Sequence, residues 1–380
     1  MAQPVPGAAD ARGGTGPGSS PLCSLLTWEP AVPRDTPDSI PMPELALARL
    51  VYVGDSDPGI ARHRTGRHFT YRGPDGRTVK DAVVLDRIRS LAIPPAYAKV
   101  WICVRPNGHL QATGIDARGR KQYRYHPRWR AVRDEAKFAR MAHFGRALPA
   151  LRQQCDRDLA DSGLSKRKVL AAVVRLLETT LMRVGNEEYA AANNSYGLTT
   201  LRKRHADVSG TKITFEFRAK SGKHHRLGLR NRRLARIVRA CQELPGHRLF
   251  QYIGDDGARH PITSDDVNGY LKEAMGEDFT AKDFRTWAGT LLAAAILAAK
   301  PRGDSATACR QIVNACIADV ASVLANTPAV CRKCYVHPAV VQAWQDGALS
   351  ARLGQAGLDL PAREAALLRF LDGQASTTAP

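Results

Sequence analysis

The sequence predicts an α+β fold: a small β-rich N-terminal domain, then a mainly α-helical domain that carries a small β-sheet or hairpin. Three observations predict it. Between about 45 and 128, short runs of strand-like residues are separated by turn signals at Gly73-Pro74-Asp75-Gly76, Pro94-Pro95 and Pro106-Asn107-Gly108. Beyond about 135, apolar residues recur at helical spacing, as in Val169, Val173, Leu176 or Leu177, and Leu181. Within that helical half, Lys212-Ile213-Thr214-Phe215-Glu216-Phe217 alternates with the period of a strand. A chain of 380 residues is long enough for two cores. The boundaries read as a disordered tail over 1–42, the β-rich domain over 43–130, the helical domain over 131–372 and a flexible tail over 373–380.

Taken in order, residues 1–42 are rich in Gly, Pro, Ala and Ser and bury too little to order. Asp81 to Leu91 forms a short amphipathic helix. Val100–Val104 and His109–Thr113 flank a turn and form a hairpin. A dense basic segment follows, Asp116-Ala117-Arg118-Gly119-Arg120-Lys121-Gln122-Tyr123-Arg124-Tyr125-His126. Cations interleaved with Gln and Tyr suit phosphate pairing together with base-edge or sugar contact; alone, the same residues describe an ordinary solvated strand. Ser165 caps a helix that delivers Arg183 near its end. The strand ending at Phe217 turns back through Ser221-Gly222, which leaves Lys220 on an exposed hairpin tip. Thr280-x-x-Asp283 is a capping box, so Arg285 lies on the second turn of a new helix. Ser305 to Ala325 is helical, Asn326-Thr327-Pro328 breaks it, and Tyr335 follows on a short turn or helix before Pro338.

Charge narrows the partner. Lys and Arg number 56 against 36 Asp and Glu, a formal +20, which attracts polyanions and makes binding salt-sensitive. The longest apolar stretch, Leu291 to Ala299, is too short for a membrane span. No charged segment followed by an apolar one opens the chain, so a cytoplasmic location is expected. The eight cysteines are scattered, and only Cys331 and Cys334 are closely spaced, with no second pair for zinc. Idle or buried thiols are expected. His205, His224 and His225 read as strand-surface residues or DNA-facing donors. No phosphate-binding Gly-rich loop and no acidic metal cluster stand out, so neither ATP nor a metal cofactor is expected.

Five residues carry the chemistry: Arg183, Lys220, Arg285, Asn326 and Tyr335. Two guanidiniums, an amine, an amide donor and a phenol are what metal-free phosphoryl transfer to a tyrosine requires. The phenol attacks in line. The arginine forks meet charge on the non-bridging oxygens, and Asn326 adds an N–H. The leaving 5′-oxygen is strongly basic and needs a proton, which Lys220 can supply. Singly, each has a plain alternative. Arg183 can pair with Glu187, Lys220 can be solvated, Arg285 can pair with Asp283, Asn326 can end a helix, and Tyr335 can be a half-buried ring. Their joint order is what points to a site.

That order and spacing resemble the type IB DNA topoisomerases, in the compact form found in poxviruses and bacteria, over roughly residues 45 to 345. The resemblance implies a tyrosine recombinase/topoisomerase IB type of helical catalytic domain. It implies a 3′-phosphotyrosyl bond at Tyr335, the two arginines at Arg183 and Arg285, and the general acid at Lys220. Viral and eukaryotic members have histidine where this chain has Asn326; bacterial relatives often have asparagine. The resemblance also implies DNA contacts from Arg120, Lys121, Gln122, Tyr123, Tyr125 and Tyr189. A monomer in the bacterial nucleoid that clamps double-stranded DNA, nicks one strand, lets it swivel and religates it without ATP or metal is the expectation. A tyrosine recombinase is the nearest alternative, but it usually has histidine where Lys282 stands, and a helical front domain. A non-catalytic basic DNA-binding protein is the other.

Overall fold

A computed structural model describes residues 43–117, 119–353 and 359–377; the expected N-terminal tail lies outside them. After a short helix α1 (Pro43–Leu47), the chain builds a five-stranded antiparallel sheet from β1 (Gly59–Thr65), β2 (His68–Arg72), β3 (Ala98–Cys103), β4 (Leu110–Ile115) and β5 (Lys121–Tyr125). The strand order is β2-β1-β3-β4-β5, so β5 is an edge. Alternation puts Ile60, Val100, Ile102 and Ala112 on one face, where helix α2 (Ala82–Ser90) covers them with Ile88. The Asp81 carboxylate caps α2 through Val83 N at 2.8 Å, so the expected helix starts one residue after Asp81. Val53, Cys103 and Leu110 pack separately with Trp101 and Tyr125.

His126 caps helix α3 (Pro127–Ala139) directly after β5, with no intervening loop. The 130/131 boundary expected from sequence therefore falls inside a helix. A single large core follows, built on α4 (Met141–Asp158) and α5 (Lys166–Thr180). Val169, Val173, Leu176 and Leu177 of α5 are all buried, and burying such side chains contributes about 1.5–3 kcal/mol each. Next come α6 (Glu187–Asn193), the antiparallel β6 (Ala206–Ser209), β7 (Lys212–Arg218) and β8 (His224–Arg230), and α7 (Arg232–Glu243). Along β7, Ile213, Phe215 and Phe217 are buried, the face that alternation predicts. A two-stranded ribbon, β9 (Gln251–Ile253) and β10 (Arg259–Pro261), leads to α8 (Ser264–Met275). The chain ends in α9 (Ala281–Ala298), α10 (Ala306–Val323), α11 (Pro328–Cys334), α12 (Pro338–Gln345), α13 (Leu349–Leu353) and α14 (Leu360–Thr377). Helix α14 thus runs into the stretch expected as a C-terminal tail. Its Glu364 is held by Arg152 at 2.8 Å and by Trp287 at 3.1 Å, which ties α14 to α4 and α9.

Two expectations are corrected. Arg183 is not on α5: the helix ends at Thr180, and Leu181 adopts a left-handed conformation with φ 56°. A bulky residue there costs about 1–2 kcal/mol, and the compensation lies in the site below. His205 is not a surface donor. It is buried against Tyr196, accepts the Arg202 N–H at 3.1 Å, and has its pKa pushed down to about 4 by burial and by Arg204 and Arg202. Among the described residues, no single helix is long and apolar enough to cross a membrane.

Candidate active site

The Arg183 segment is held by its backbone. Arg183 O accepts from Leu198 N at 2.9 Å, and Val184 O accepts from Thr199 N at 2.7 Å. This close approach needs glycine on both sides: a Cβ on Gly197 would meet Gly185 Cα at 2.6 Å, and Gly185 has φ 107°. Asn186 then caps α6 through Tyr189 N at 2.7 Å. Lys220 lies on the short turn Lys220–Gly222 between β7 and β8 and is exposed.

Arg285 is the most constrained of the five. Only 4 % exposed, it donates Nη1 to Leu181 O and Nη2 to Leu324 O at 2.5 Å. Leu181 and Leu324 are the C-caps of α5 and α10, so one guanidinium staples two helix ends whose dipoles favour a cation. Its Cζ lies 5.2 Å from the centre of the Tyr335 ring. Ala325, left-handed at φ 48°, turns the chain out of α10 and aims Asn326 at Arg183, whose Nη2 donates to Asn326 Oδ1 at 2.5 Å. Arg183 therefore does not take Glu187, which pairs with Arg248 instead.

Tyr335 caps α11. Its carbonyl accepts from Thr290 Oγ1 at 3.3 Å, and His337 N donates to the same hydroxyl at 3.0 Å. Gly289 makes this contact possible, since a Cβ there would sit 2.6 Å from Tyr335 O. Arg183, Lys220, Lys223, Asn326 and Tyr335 line one recess of about 230 Å³. An adjoining recess of about 370 Å³ adds His225 and Arg285. All five residues predicted from sequence are thus brought together.

The electrostatics favour an anion. Burial and then the charge of Arg285 push the Arg183 pKa below its ordinary value, though not far enough to deprotonate a guanidinium. Burial followed by Arg183, Arg285 and Lys223 also lowers the His225 pKa, which disfavours its charged form. Two buried donors, Arg285 Nε and Asn326 Nδ2, have no partner among the described residues. Each costs about 1–3 kcal/mol when unpaired, and an anion bound within reach would supply the acceptors both lack. No cluster of three or more metal-ligating side chains occurs among the described residues.

The edge strand β5 presents Lys121 and the 48 %-exposed Tyr123 on one face, and Gln122 and Arg124 on the other. Tyr125 is half-buried and packs on Leu110 and Trp129. Arg120 reaches Asp116 at 2.7 Å; that carboxylate first, and Tyr189 of α6 after it, push its pKa up. Lys121 pairs with Asp55 at 2.5 Å. Sequence reasoning missed Gly289, Thr290 and the paired glycines 185 and 197. Only the glycines left a trace, as unexplained small residues beside the motifs.

Residues 126–354 match the family model for the catalytic core of eukaryotic DNA topoisomerase I, and residues 68–116 match that for the N-terminal domain of bacterial DNA topoisomerase IB. The chain is 34 % identical over 296 residues to DNA topoisomerase 1B of Acanthamoeba polyphaga mimivirus, covering 76 % of this chain and 88 % of the viral one. The first matched segment spans β2 to β4 of the sheet and the second spans most of the helical part, in which the recess lies, and on the strength of these matches and of the viral relative the chain belongs to the type IB DNA topoisomerases, a family of isomerases.

Proposed function

We propose that this protein relaxes supercoiled duplex DNA by transient cleavage of one strand through a 3′-phosphotyrosyl intermediate at Tyr335. The observation that carries this reading is the convergence of Arg183, Lys220, Asn326 and Tyr335 on one recess, with Arg285 against the tyrosine ring. The Tyr335 oxygen attacks phosphorus, the bond to the 5′-oxygen breaks, and the phenolic proton leaves to solvent. Lys220, from the exposed turn between β7 and β8, gives a proton to the departing 5′-oxygen. Arg183, Arg285 Nε and Asn326 Nδ2 bind the non-bridging oxygens, where positioned donors contribute about 10²–10³ in rate each. The phosphodiester energy is conserved in the phosphotyrosyl bond, so religation needs neither ATP nor a metal. Strand β5, with Arg120, Lys121, Gln122, Tyr123 and Tyr125, and Tyr189 on α6 contact the duplex.

The test is relaxation of negatively and positively supercoiled plasmid in EDTA without nucleotide, with a detergent quench to trap the adduct. Wild type relaxes both and is trapped covalently. Tyr335→Phe binds duplex within a few-fold of wild type but neither relaxes nor forms adduct. Relaxation by Tyr335→Phe refutes the nucleophile, and a strict divalent-ion requirement refutes the mechanism.

A further inference from the structure

The backbone around Tyr335 is held from a second direction, by α3. Lys137, in the last turn of α3, donates Nζ to Cys334 O at 3.0 Å, across 197 residues of sequence. Cys334 is the last residue of α11, so this carbonyl is one of those a helix end leaves without an intrahelical donor. A cation is the best partner for it. Lys137 is 14 % exposed, lies over the Phe138 ring at 4.0 Å, and has Asp134 only at 4.0 Å. Burial lowers its pKa, so the amine is placed there at a desolvation cost that a solvated lysine would avoid. The next residue, Phe138, packs its ring on that of His337 at 5.0 Å. Consecutive residues of α3 thus grip the chain just before and just after Tyr335. Thr290 holds the carbonyl of Tyr335 itself.

We infer that Lys137 is a positioning residue for the nucleophile: its hydrogen bond to Cys334 O fixes the peptide that sets where the Tyr335 hydroxyl lies. This rests on the reading of Tyr335 given above. Because α3 begins directly at the end of β5, the anchor is continuous in the chain with the strand assigned to the duplex. Lys137 touches no reacting atom. Its removal therefore leaves DNA affinity and the acid–base groups in place and acts on the attack distance. A misplacement of about 1 Å in such a geometry costs on the order of 10²-fold in rate.

The experiment is single-turnover cleavage of a duplex substrate at saturating enzyme, with duplex Kd and thermal melting measured on the same preparations. Lys137→Met slows cleavage about 10- to 100-fold, with Kd within about twofold of wild type. Lys137→Arg, which keeps a charged donor, recovers most of the rate. Should Lys137→Met fail to fold, Lys137→Gln, which keeps an N–H but not the charge, is read in the same way and slows cleavage less. Tyr335→Phe is the control. If it is inactive while Lys137→Met cleaves at the wild-type rate, the positioning role is overturned and the nucleophile stands. If Lys137→Arg is as slow as Lys137→Met, side-chain packing rather than donation to Cys334 O is responsible, and the inference is likewise overturned.

Discussion

Arg285→Ala separates folding from chemistry at one residue. The guanidinium makes two charge-assisted bonds to the caps of α5 and α10, each contributing about 1.5–3 kcal/mol. Their loss leaves the buried Leu324 carbonyl and the half-buried Leu181 carbonyl without this donor and releases the left-handed Leu181. Removing the charge also relieves repulsion on Arg183, which offsets part of the loss. The expected net destabilisation is about 2–4 kcal/mol, or a drop in Tm of about 3–5 °C for a chain of this size. Cleavage falls by about 10²–10³ or more. Arg183→Ala should differ. It loses one bond to a half-buried amide, so its Tm falls by only about 1–3 °C while its rate falls comparably. The assay pairs differential scanning calorimetry with single-turnover cleavage well below either melting temperature. If Arg285→Ala melts with wild type, or Arg183→Ala melts as early as Arg285→Ala, the stapling of α5 and α10 by Arg285 is refuted.

Two further outcomes are expected. Lys220→Ala slows cleavage of ordinary DNA by about 10²–10⁴ but cleaves a substrate with sulfur in place of the bridging 5′-oxygen near the wild-type rate, because a thiolate leaves without a proton. If sulfur rescues Lys223→Ala instead, the neighbouring lysine of the same recess is the acid. The second outcome concerns pH. Burial and the nearby Lys137 push His337 down to about 4 from 6.5, so between those values the unfolded chain binds a proton that the folded chain does not. Stability therefore falls as pH drops through that window, by at most about 1.4 kcal/mol per unit. His337→Asn, which keeps an acceptor for the Ala339 N–H, flattens the dependence in urea titrations at pH 7 and pH 5; an unchanged dependence assigns the proton elsewhere.

What the sequence discloses is what local physics writes into neighbouring residues. The caps at Asp81, Ser165 and Thr280–Asp283 satisfy donors within three positions, so each can be read without knowing the fold. Alternation along Lys212–Phe217 and the stripe on α5 likewise record which face is dry. The five site residues were legible as a pattern of types in order. What could not be read is whatever depends on distant backbone. Arg285 meets Leu181 and Leu324 across 104 and 39 residues, through carbonyls that every residue possesses. Gly289 looks like any small residue in an apolar helix until Tyr335 is laid against it. His205 is polar and sits beside arginines, so it reads as exposed, yet the turn that buries it satisfies its ring nitrogen internally.

The same nonlocality explains how two arginines are kept side by side in a mostly buried recess. Like charges at close range oppose folding, and burial alone would make each worse. The helix ends supply the counterweight. Leu181 O and Leu324 O concentrate the negative ends of α5 and α10 on Arg285, while Arg183 is left with the neutral Asn326 amide. The compensation is therefore unequal: Arg285 is largely satisfied by the fold, and Arg183 is not. An anion in the recess gains most from the less satisfied cation and from the two unpartnered donors, Arg285 Nε and Asn326 Nδ2. The recess is thus stable enough to preform and still short of one negative group, which is the condition under which fixed charges favour a phosphate whose own charge grows during attack.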